Sequence, residues 1–164
     1  MEKTLKKEVE LSVYNSSSAL SSSDFDLLKQ AKSALVSSYA PYSKFHVSAA
    51  VLLENGKVVI GSNQENMAYP SGLCAERVAV FSASAQYPGV AIQAIAITAK
   101  SETMELDHPI MCCGACLQSI CEYESRYQNS IRLILQGNTG SVYIANGTQT
   151  FLPFQFDGSA LKKL

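Results

Sequence analysis

The chain has 164 residues, of which 47% are hydrophobic and 16% charged, and its formal net charge is -1 at pH 7. This composition predicts one soluble globular domain with a sizeable core and excludes an intrinsically disordered chain. A charge this close to zero provides no basic surface for nucleic acid or for an anionic membrane, so we expect neither as a partner.

The compartment is predicted from the N-terminus and from the absence of long apolar runs. No run reaches the roughly 18 apolar residues that a membrane-spanning helix needs. The first four residues lead into charged residues rather than into the apolar core of a signal peptide. We therefore expect a cytoplasmic protein whose five cysteines stay reduced.

The first part of the chain divides into an N-terminal extension, residues 1–23, and the start of a single domain that we assign to residues 24–164. Alternating apolar residues over 9–13 indicate a short edge strand in the extension, and two serine runs follow it. Apolar residues at helical spacing predict an amphipathic helix over 24–38. Pro41 ends that element.

Two strands joined by a hairpin are predicted next. Apolar and polar residues alternate over 45–51, and Asn-Gly at 55–56 is a strong signal for a two-residue turn. Residues 58–60 form the return strand. A loop rich in Asn, Ser, Pro and Gly then runs over 61–72, and such loops on a rigid scaffold often carry binding residues.

The second half alternates between helices and strands. In chain order we predict a helix over 74–86, a strand over 91–99, a polar loop over 101–110, a helix over 114–127, and strands over 131–135 and 142–144. This order predicts a layered α/β fold around one mixed sheet.

Two cysteine motifs carry the chemistry of the sequence. Residues 74–77 read Cys-Ala-Glu-Arg, and residues 113–116 read Cys-Gly-Ala-Cys. Three cysteine ligands can hold Zn²⁺ and leave one tetrahedral position open, as catalytic zinc sites do. Glu76 is then placed to move protons for a water at that position.

The surroundings of the motifs are suited to a site rich in thiolates. Both motifs lie at predicted helix starts, where free backbone N–H groups and the helix dipole offset negative charge. Arg77, on the same first turn as Cys74, can donate hydrogen bonds to a thiolate.

Taken together, the two motifs resemble those of the zinc-dependent cytidine deaminases of pyrimidine salvage. Four further segments resemble that family in the same order: residues 40–47 (Ala-Pro-Tyr-Ser-Lys-Phe-His-Val), 61–66 (Gly-Ser-Asn-Gln-Glu-Asn), 68–70 (Ala-Tyr-Pro) and 152–156 (Leu-Pro-Phe-Gln-Phe). The resemblance covers about residues 26–158. It implies a three-layer α/β fold of the cytidine deaminase type, with a mixed central sheet of about five strands and helices on both faces.

The resemblance also implies a reaction. Cys74, Cys113 and Cys116 would bind one Zn²⁺ per chain, and zinc-bound hydroxide would attack ring atom C4 of cytidine or 2′-deoxycytidine. Glu76 would pass the proton to ring N3 and assist the departure of ammonia, leaving uridine or 2′-deoxyuridine. Arg77 would support the thiolates.

Further residues are implied to bind the nucleoside: Phe45, Asn63, Glu65, Tyr69, Ala75 and Phe156. Phe45 would stack on the pyrimidine ring, and Asn63 and Glu65 would hydrogen-bond the ribose hydroxyls. Tyr69 and Phe156 would complete sites in neighbouring subunits of a homotetramer, with a dimer as the alternative.

The chain departs from the family pattern at three positions. Cys112 stands where the family usually has Pro, Leu117 where it often has Arg, and Met67 where it usually has a small residue. Because adjacent residues rarely both reach one metal ion, we expect Cys112 to be reduced and not a ligand. Without the arginine at 117, Arg77 would stabilise more of the thiolate charge.

Other interpretations of the same residues remain open at this stage. The C-x-x-C motif is also typical of redox proteins, and Cys112 or Cys121 could complete a structural zinc site with four cysteines. Within deaminase chemistry, the substrate could be another aminated pyrimidine nucleoside such as blasticidin S. A zinc-stabilised binding protein without turnover is the alternative from another class. His46 is expected, like His108, to be a surface or loop residue.

Overall fold

A computed structural model describes residues 2–158 and Leu161 of the chain. Met1 and residues 159–160 and 162–164, the last five of which belong to the predicted domain, lie outside the described residues. In chain order the elements are β1 (Ser12–Tyr14), α1 (Ser22–Ala34), β2 (Phe45–Leu53), β3 (Val58–Ser62), α2 (Ala75–Gln86), β4 (Ile92–Ser101), α3 (Gly114–Tyr127), β5 (Arg132–Gln136) and β6 (Val142–Asn146).

The strands described by the structure form one six-stranded sheet in the order β1-β6-β5-β4-β2-β3. Strands β4 and β5 pair in parallel through the crossover that contains α3, and the other neighbours pair antiparallel. The prediction of a mixed sheet is therefore confirmed. The number of strands is one higher than the expected five, because β1 from the N-terminal extension pairs with β6 and adds an edge strand.

Helices cover both faces of the sheet, as expected. On one face, Leu27, Leu28 and Ala31 of α1 pack with residues of β2, β4 and β5 such as Ala50 and Ala96. On the other face, apolar residues of α2 and α3 pack with alternate residues of the same strands. Since side chains alternate across a strand, each central strand contributes to both cores, and this produces three layers.

The first helix begins earlier and ends earlier than the sequence predicted. The hydroxyl of Ser21 accepts a hydrogen bond from the backbone N–H of Asp24 at 3.2 Å and caps the helix there. The α-helix ends at Ala34, and a 3₁₀ turn over Leu35–Ser37 continues the chain. Val36, inside the predicted range, is 91% exposed.

The hairpin between β2 and β3 is confirmed. Gly56 has φ of +78°, a left-handed conformation that glycine adopts at little cost. Among the described residues, none of the helices combines the length and apolar character that crossing a lipid bilayer requires.

Candidate active site

Three cysteine sulfurs meet where the first turns of α2 and α3 approach each other. Cys74 and Cys113 are the N-cap residues of these helices, and Cys116 lies in the first turn of α3. Their sulfur atoms all lie within 4.8 Å of one another, and those of Cys113 and Cys116 are 3.3 Å apart. Zinc–sulfur bonds of about 2.3 Å in a tetrahedron place sulfurs about 3.8 Å apart. The cluster therefore fits Zn²⁺.

The same cluster has an open side. Among the described residues, no fourth His, Cys, Asp or Glu side chain joins the three sulfurs. Cys74 also lines a cavity of about 460 Å³ that opens to solvent. Three protein ligands beside a cavity are typical of catalytic zinc, whereas structural zinc has four protein ligands.

Hydrogen bonds within the cluster favour a thiolate at Cys74. The thiol of Cys116 and then the guanidinium of Arg77 lower the pKa of Cys74 to about 5. The nearer guanidinium nitrogen of Arg77 is 3.6 Å from the Cys74 sulfur. The hydrogen bond to Cys74, together with burial, raises the pKa of the Cys116 thiol, so in the absence of metal the pair shares one proton. A bound metal ion would replace that proton.

Glu76 is the second residue of α2 and is only 5% exposed. Burial raises the pKa of its carboxyl group, and the negative charge of Cys74 adds to the effect. A carboxyl group that holds its proton more tightly than usual is suited to transferring protons near neutral pH. Glu76 lies beside the cluster but is not one of the candidate metal ligands.

The two unusual residues of the second motif lie outside the cluster. Cys112 is 7% exposed and its thiol hydrogen-bonds the carboxyl group of Glu76. Burial raises the pKa of Cys112 well above its ordinary value, so this thiol stays protonated. Leu117 is 3% exposed and packs in the core between the helices and the sheet. Arg77 is thus the arginine that contacts a cluster sulfur.

The wall of the cavity is built by the loop between β3 and α2. Gln64 bridges to Tyr39 on one side and to Leu73 on the other, which fixes the loop against the chain that precedes β2. The carboxylate of Glu65 accepts the backbone N–H of Tyr42 at 2.8 Å and that of Ser43 at 3.3 Å. The hydrogen bond from the hydroxyl of Ser43 makes the largest contribution to lowering the pKa of Glu65, and the two backbone N–H groups lower it further. Glu65 is therefore a fixed anionic acceptor in the cavity wall.

The remaining predicted residues are only partly brought together. Asn63 and Tyr69 line the cavity, and Tyr69 is 74% exposed with its ring against Tyr42 at a centroid distance of 5.9 Å. Ala75 is fully buried at the start of α2. Phe45 is half-buried at the start of β2, on the face that also carries the cysteine cluster.

Phe156 does not reach this cavity within the same chain. This residue is 67% exposed, and its backbone pairs with the side-chain amide of Gln118 on α3. It lines a second cavity, of about 350 Å³, behind α3. Met67 is 85% exposed and is absent from the described lining of the first cavity.

Sequence reasoning missed the groups that hold the cavity wall in place. It placed His46 in the predicted strand but assigned no role to it or to Ser38, and the structure shows that the two side chains are hydrogen-bonded. It also assigned no role to the backbone N–H groups that hold Glu65. No local signal reveals such contacts, because they join segments far apart in the chain.

Comparison with known proteins identifies the family. A family model described as "Cytidine and deoxycytidylate deaminase zinc-binding region" matches residues 21–129. A curated cytidine deaminase of Sporosarcina psychrophila is 43% identical over 98 residues, which are 59% of this chain and 67% of that protein. One from Halalkalibacterium halodurans is 40% identical over 96 residues, 58% of this chain and 68% of that protein.

Solved structures lead to the same assignment. The crystal structure of cytidine deaminase from Burkholderia pseudomallei has a TM-score of 0.69 and 37% sequence identity, covering 80% of this chain and 97% of that one. Cytidine deaminase from Mycobacterium tuberculosis has a TM-score of 0.61 and 27% identity, covering 80% and 95% respectively. The chain belongs to the cytidine and deoxycytidylate deaminase zinc-binding family.

Proposed function

We propose that this chain catalyses the zinc-dependent hydrolysis of cytidine and 2′-deoxycytidine to uridine and 2′-deoxyuridine, with release of ammonia. One Zn²⁺ per chain is held by Cys74, Cys113 and Cys116. The observation that carries the proposal is the cluster of these three sulfurs, with Cys74 in the wall of an open cavity and the buried carboxyl group of Glu76 beside the cluster.

The side chains act on protons and charge in this proposal. Zn²⁺ held by Cys74, Cys113 and Cys116 with one open position would lower the pKa of a bound water and so supply a nucleophile near neutral pH. Glu76 accepts the proton of the water that adds to C4 and delivers it to ring N3. It then accepts the proton of the new C4 hydroxyl and delivers it to the amino group, which leaves as ammonia while the C4 carbonyl forms. Arg77 stabilises the thiolate of Cys74 throughout.

The nucleoside is held by groups of the cavity wall and the adjoining strand. Asn63 and Glu65 bind the ribose hydroxyls, and Phe45 stacks on the base. Ala75 is the first residue of α2, where the backbone N–H groups have no partner within the helix, and it offers such an N–H group to the nucleoside. Once the nucleoside covers them, two polar groups of this kind discriminate against ligands that lack the matching hydroxyls, because they would be left without partners.

The active form is proposed to be a homotetramer, with a dimer as the alternative. Two of the expected substrate residues, Tyr69 and Phe156, are largely exposed, and Phe156 lies outside the cavity of its own chain. Large exposed aromatic residues are typical of surfaces that are covered in an assembly. A neighbouring subunit would supply Phe156 and complete the site.

The test is a spectrophotometric assay of cytidine consumption with the wild-type protein and with Glu76→Gln, each analysed for zinc. The wild type is expected to convert cytidine, and Glu76→Gln to keep about one zinc per chain while its rate falls about 10²- to 10⁴-fold. Equal rates for the two proteins would remove Glu76 from the mechanism. A wild type that holds zinc but turns over no cytidine would support the non-catalytic alternative.

A further inference from the structure

The side-chain amide of Asn63, in the cavity wall, has a fixed orientation. Its oxygen Oδ1 accepts the backbone N–H of Val47 at 2.8 Å, and its nitrogen Nδ2 donates to the carbonyl oxygen of Phe45 at 2.9 Å. Rotating the amide by 180° would set an NH₂ group against an N–H group, so the assignment is unambiguous. An amide nitrogen has two hydrogens, and among the described residues one of those on Asn63 has no partner.

A serine hydroxyl makes the third contact to this amide. Ser38 donates its hydroxyl hydrogen to Oδ1 of Asn63 at a distance of 2.5 Å. That hydrogen is therefore committed, because an amide oxygen can only accept. Ser38 is not arranged as an activated nucleophile, since its hydroxyl hydrogen does not face an imidazole base.

A histidine from the neighbouring strand holds the serine. Nδ1 of His46 lies 3.0 Å from the Ser38 oxygen, and Nε2 lies 3.0 Å from a carboxylate oxygen of Glu102. The hydroxyl oxygen of Ser38 and the carboxylate of Glu102 can each accept a hydrogen bond from the ring nitrogen that faces it. The side chain of His46 is 23% exposed and that of Glu102 is 56% exposed.

Three segments that are distant in sequence thus converge on one side chain of the cavity. Ser38 follows the 3₁₀ turn after α1, His46 lies in β2, and Glu102 follows β4. The charged groups around the imidazole are Glu102, Lys100 opposite it across the β2–β4 pair, and the carboxylate of Glu65. Removing the imidazole would release the Ser38 hydroxyl to turn away from Asn63.

We propose that His46, held by Glu102 and acting through Ser38, is a positioning residue that fixes Asn63 as a single hydrogen-bond donor toward a sugar hydroxyl of the substrate. This inference rests on the proposed function and adds residues that contact neither the metal site nor the reacting base. Because the contact is made equally in the ground state and the transition state, its loss changes KM and leaves kcat unaltered.

The experiment compares cytidine with 2′,3′-dideoxycytidine, which lacks both ring hydroxyls of the sugar. For His46→Ala and for Ser38→Ala, KM for cytidine is expected to rise about three- to ten-fold, as for the loss of one net hydrogen bond. The kcat for cytidine and the KM for the dideoxynucleoside are expected to stay within about two-fold of the wild type. Ser38→Ala leaves the strand and the pair between His46 and Glu102 intact, so it tests the proposal if His46→Ala folds poorly.

Matched controls come from the same chain. Ser33→Ala removes a hydroxyl that, among the described residues, bonds the carbonyl of Lys29 in its own helix. His108→Ala removes the other histidine, which pairs with Asp107. Both are expected to keep wild-type KM. An equal rise of KM for both nucleosides, or a fall in kcat alone, would overturn the positioning role. If the wild type converts neither nucleoside, the proposed function fails instead.

Discussion

Gly61, in β3, determines how closely the strand that precedes the cavity loop approaches α2. A Cβ atom at this position would lie 2.4 Å from the backbone nitrogen of Ala79 and 2.7 Å from the carbonyl oxygen of Ala75. These are backbone atoms of α2, so neither can turn aside as a flexible side chain would. Gly61→Ala therefore pushes β3 and α2 apart.

The size of the effect follows from these distances. Restoring an ordinary contact of 3.4 Å from 2.4 Å requires a shift of about 1 Å. Overpacking a close-packed core typically costs about 1–3 kcal/mol, and a clash against backbone lies at the upper end. For a chain of this length about 3 kcal/mol lowers Tm by about 6–12 °C. The shift also moves Cys74 and Glu76, and a displacement of about 1 Å near reacting groups can lower a rate about 10²-fold.

The assay combines thermal unfolding, zinc content and cytidine turnover for Gly61→Ala and for Gly158→Ala. The control adds the same methyl group where the nearest atom, on the ring of Phe156, lies at 3.5 Å. We expect Gly61→Ala to lose stability and turnover, and Gly158→Ala to keep its wild-type Tm. If Gly61→Ala keeps both its Tm and its kcat, the spacing between β3 and α2 is not what holds Cys74 and Glu76 in place.

Two further predictions concern α2. Burial raises the pKa of Glu76 in the folded protein. In metal-free, reduced protein, the free energy of unfolding of the wild type relative to that of Glu76→Gln is therefore greatest below the pKa of the unfolded chain, about 4.3. That advantage disappears as pH rises through the folded pKa, and urea unfolding at a series of pH values should show it; a constant difference would contradict the burial argument. Arg77→Met keeps the apolar stem but removes the hydrogen bond to Cys74, and chelator competition should show zinc affinity lowered about 10- to 100-fold. Unchanged affinity would mean that the helix N-termini suffice to stabilise the thiolates.

The layers and the metal site could be predicted from the sequence because their signals are local. Alternation over β2 and the Asn-Gly turn require no knowledge of distant residues. The cysteine motifs lie at helix starts, and the two helices bring their ends together because both pack on the same face of the sheet. Cys113 and Cys116 are close in sequence and so form one half of the site, and Cys74 is the only ligand that has to come from a different motif.

Other features could not be predicted, since they depend on contacts between distant segments. Alternation in the extension indicates an edge strand, but its pairing with β6 joins segments that are separated by more than half of the chain. Asn63 is held by groups from β2 and from the chain after α1. The sequence of the loop does not indicate these partners, because they lie in other segments. The position of Phe156 outside its own cavity likewise depends on where the C-terminal segment packs against α3.

The central claim is that sulfur atoms fill three positions around a zinc ion and leave the fourth to solvent. X-ray absorption spectroscopy at the zinc edge measures this directly on the purified protein. We predict three sulfur neighbours at about 2.3 Å and one oxygen neighbour at about 2.0 Å. Four sulfur neighbours, with Cys112 or Cys121 as the additional ligand, would contradict the account and assign the metal a structural role.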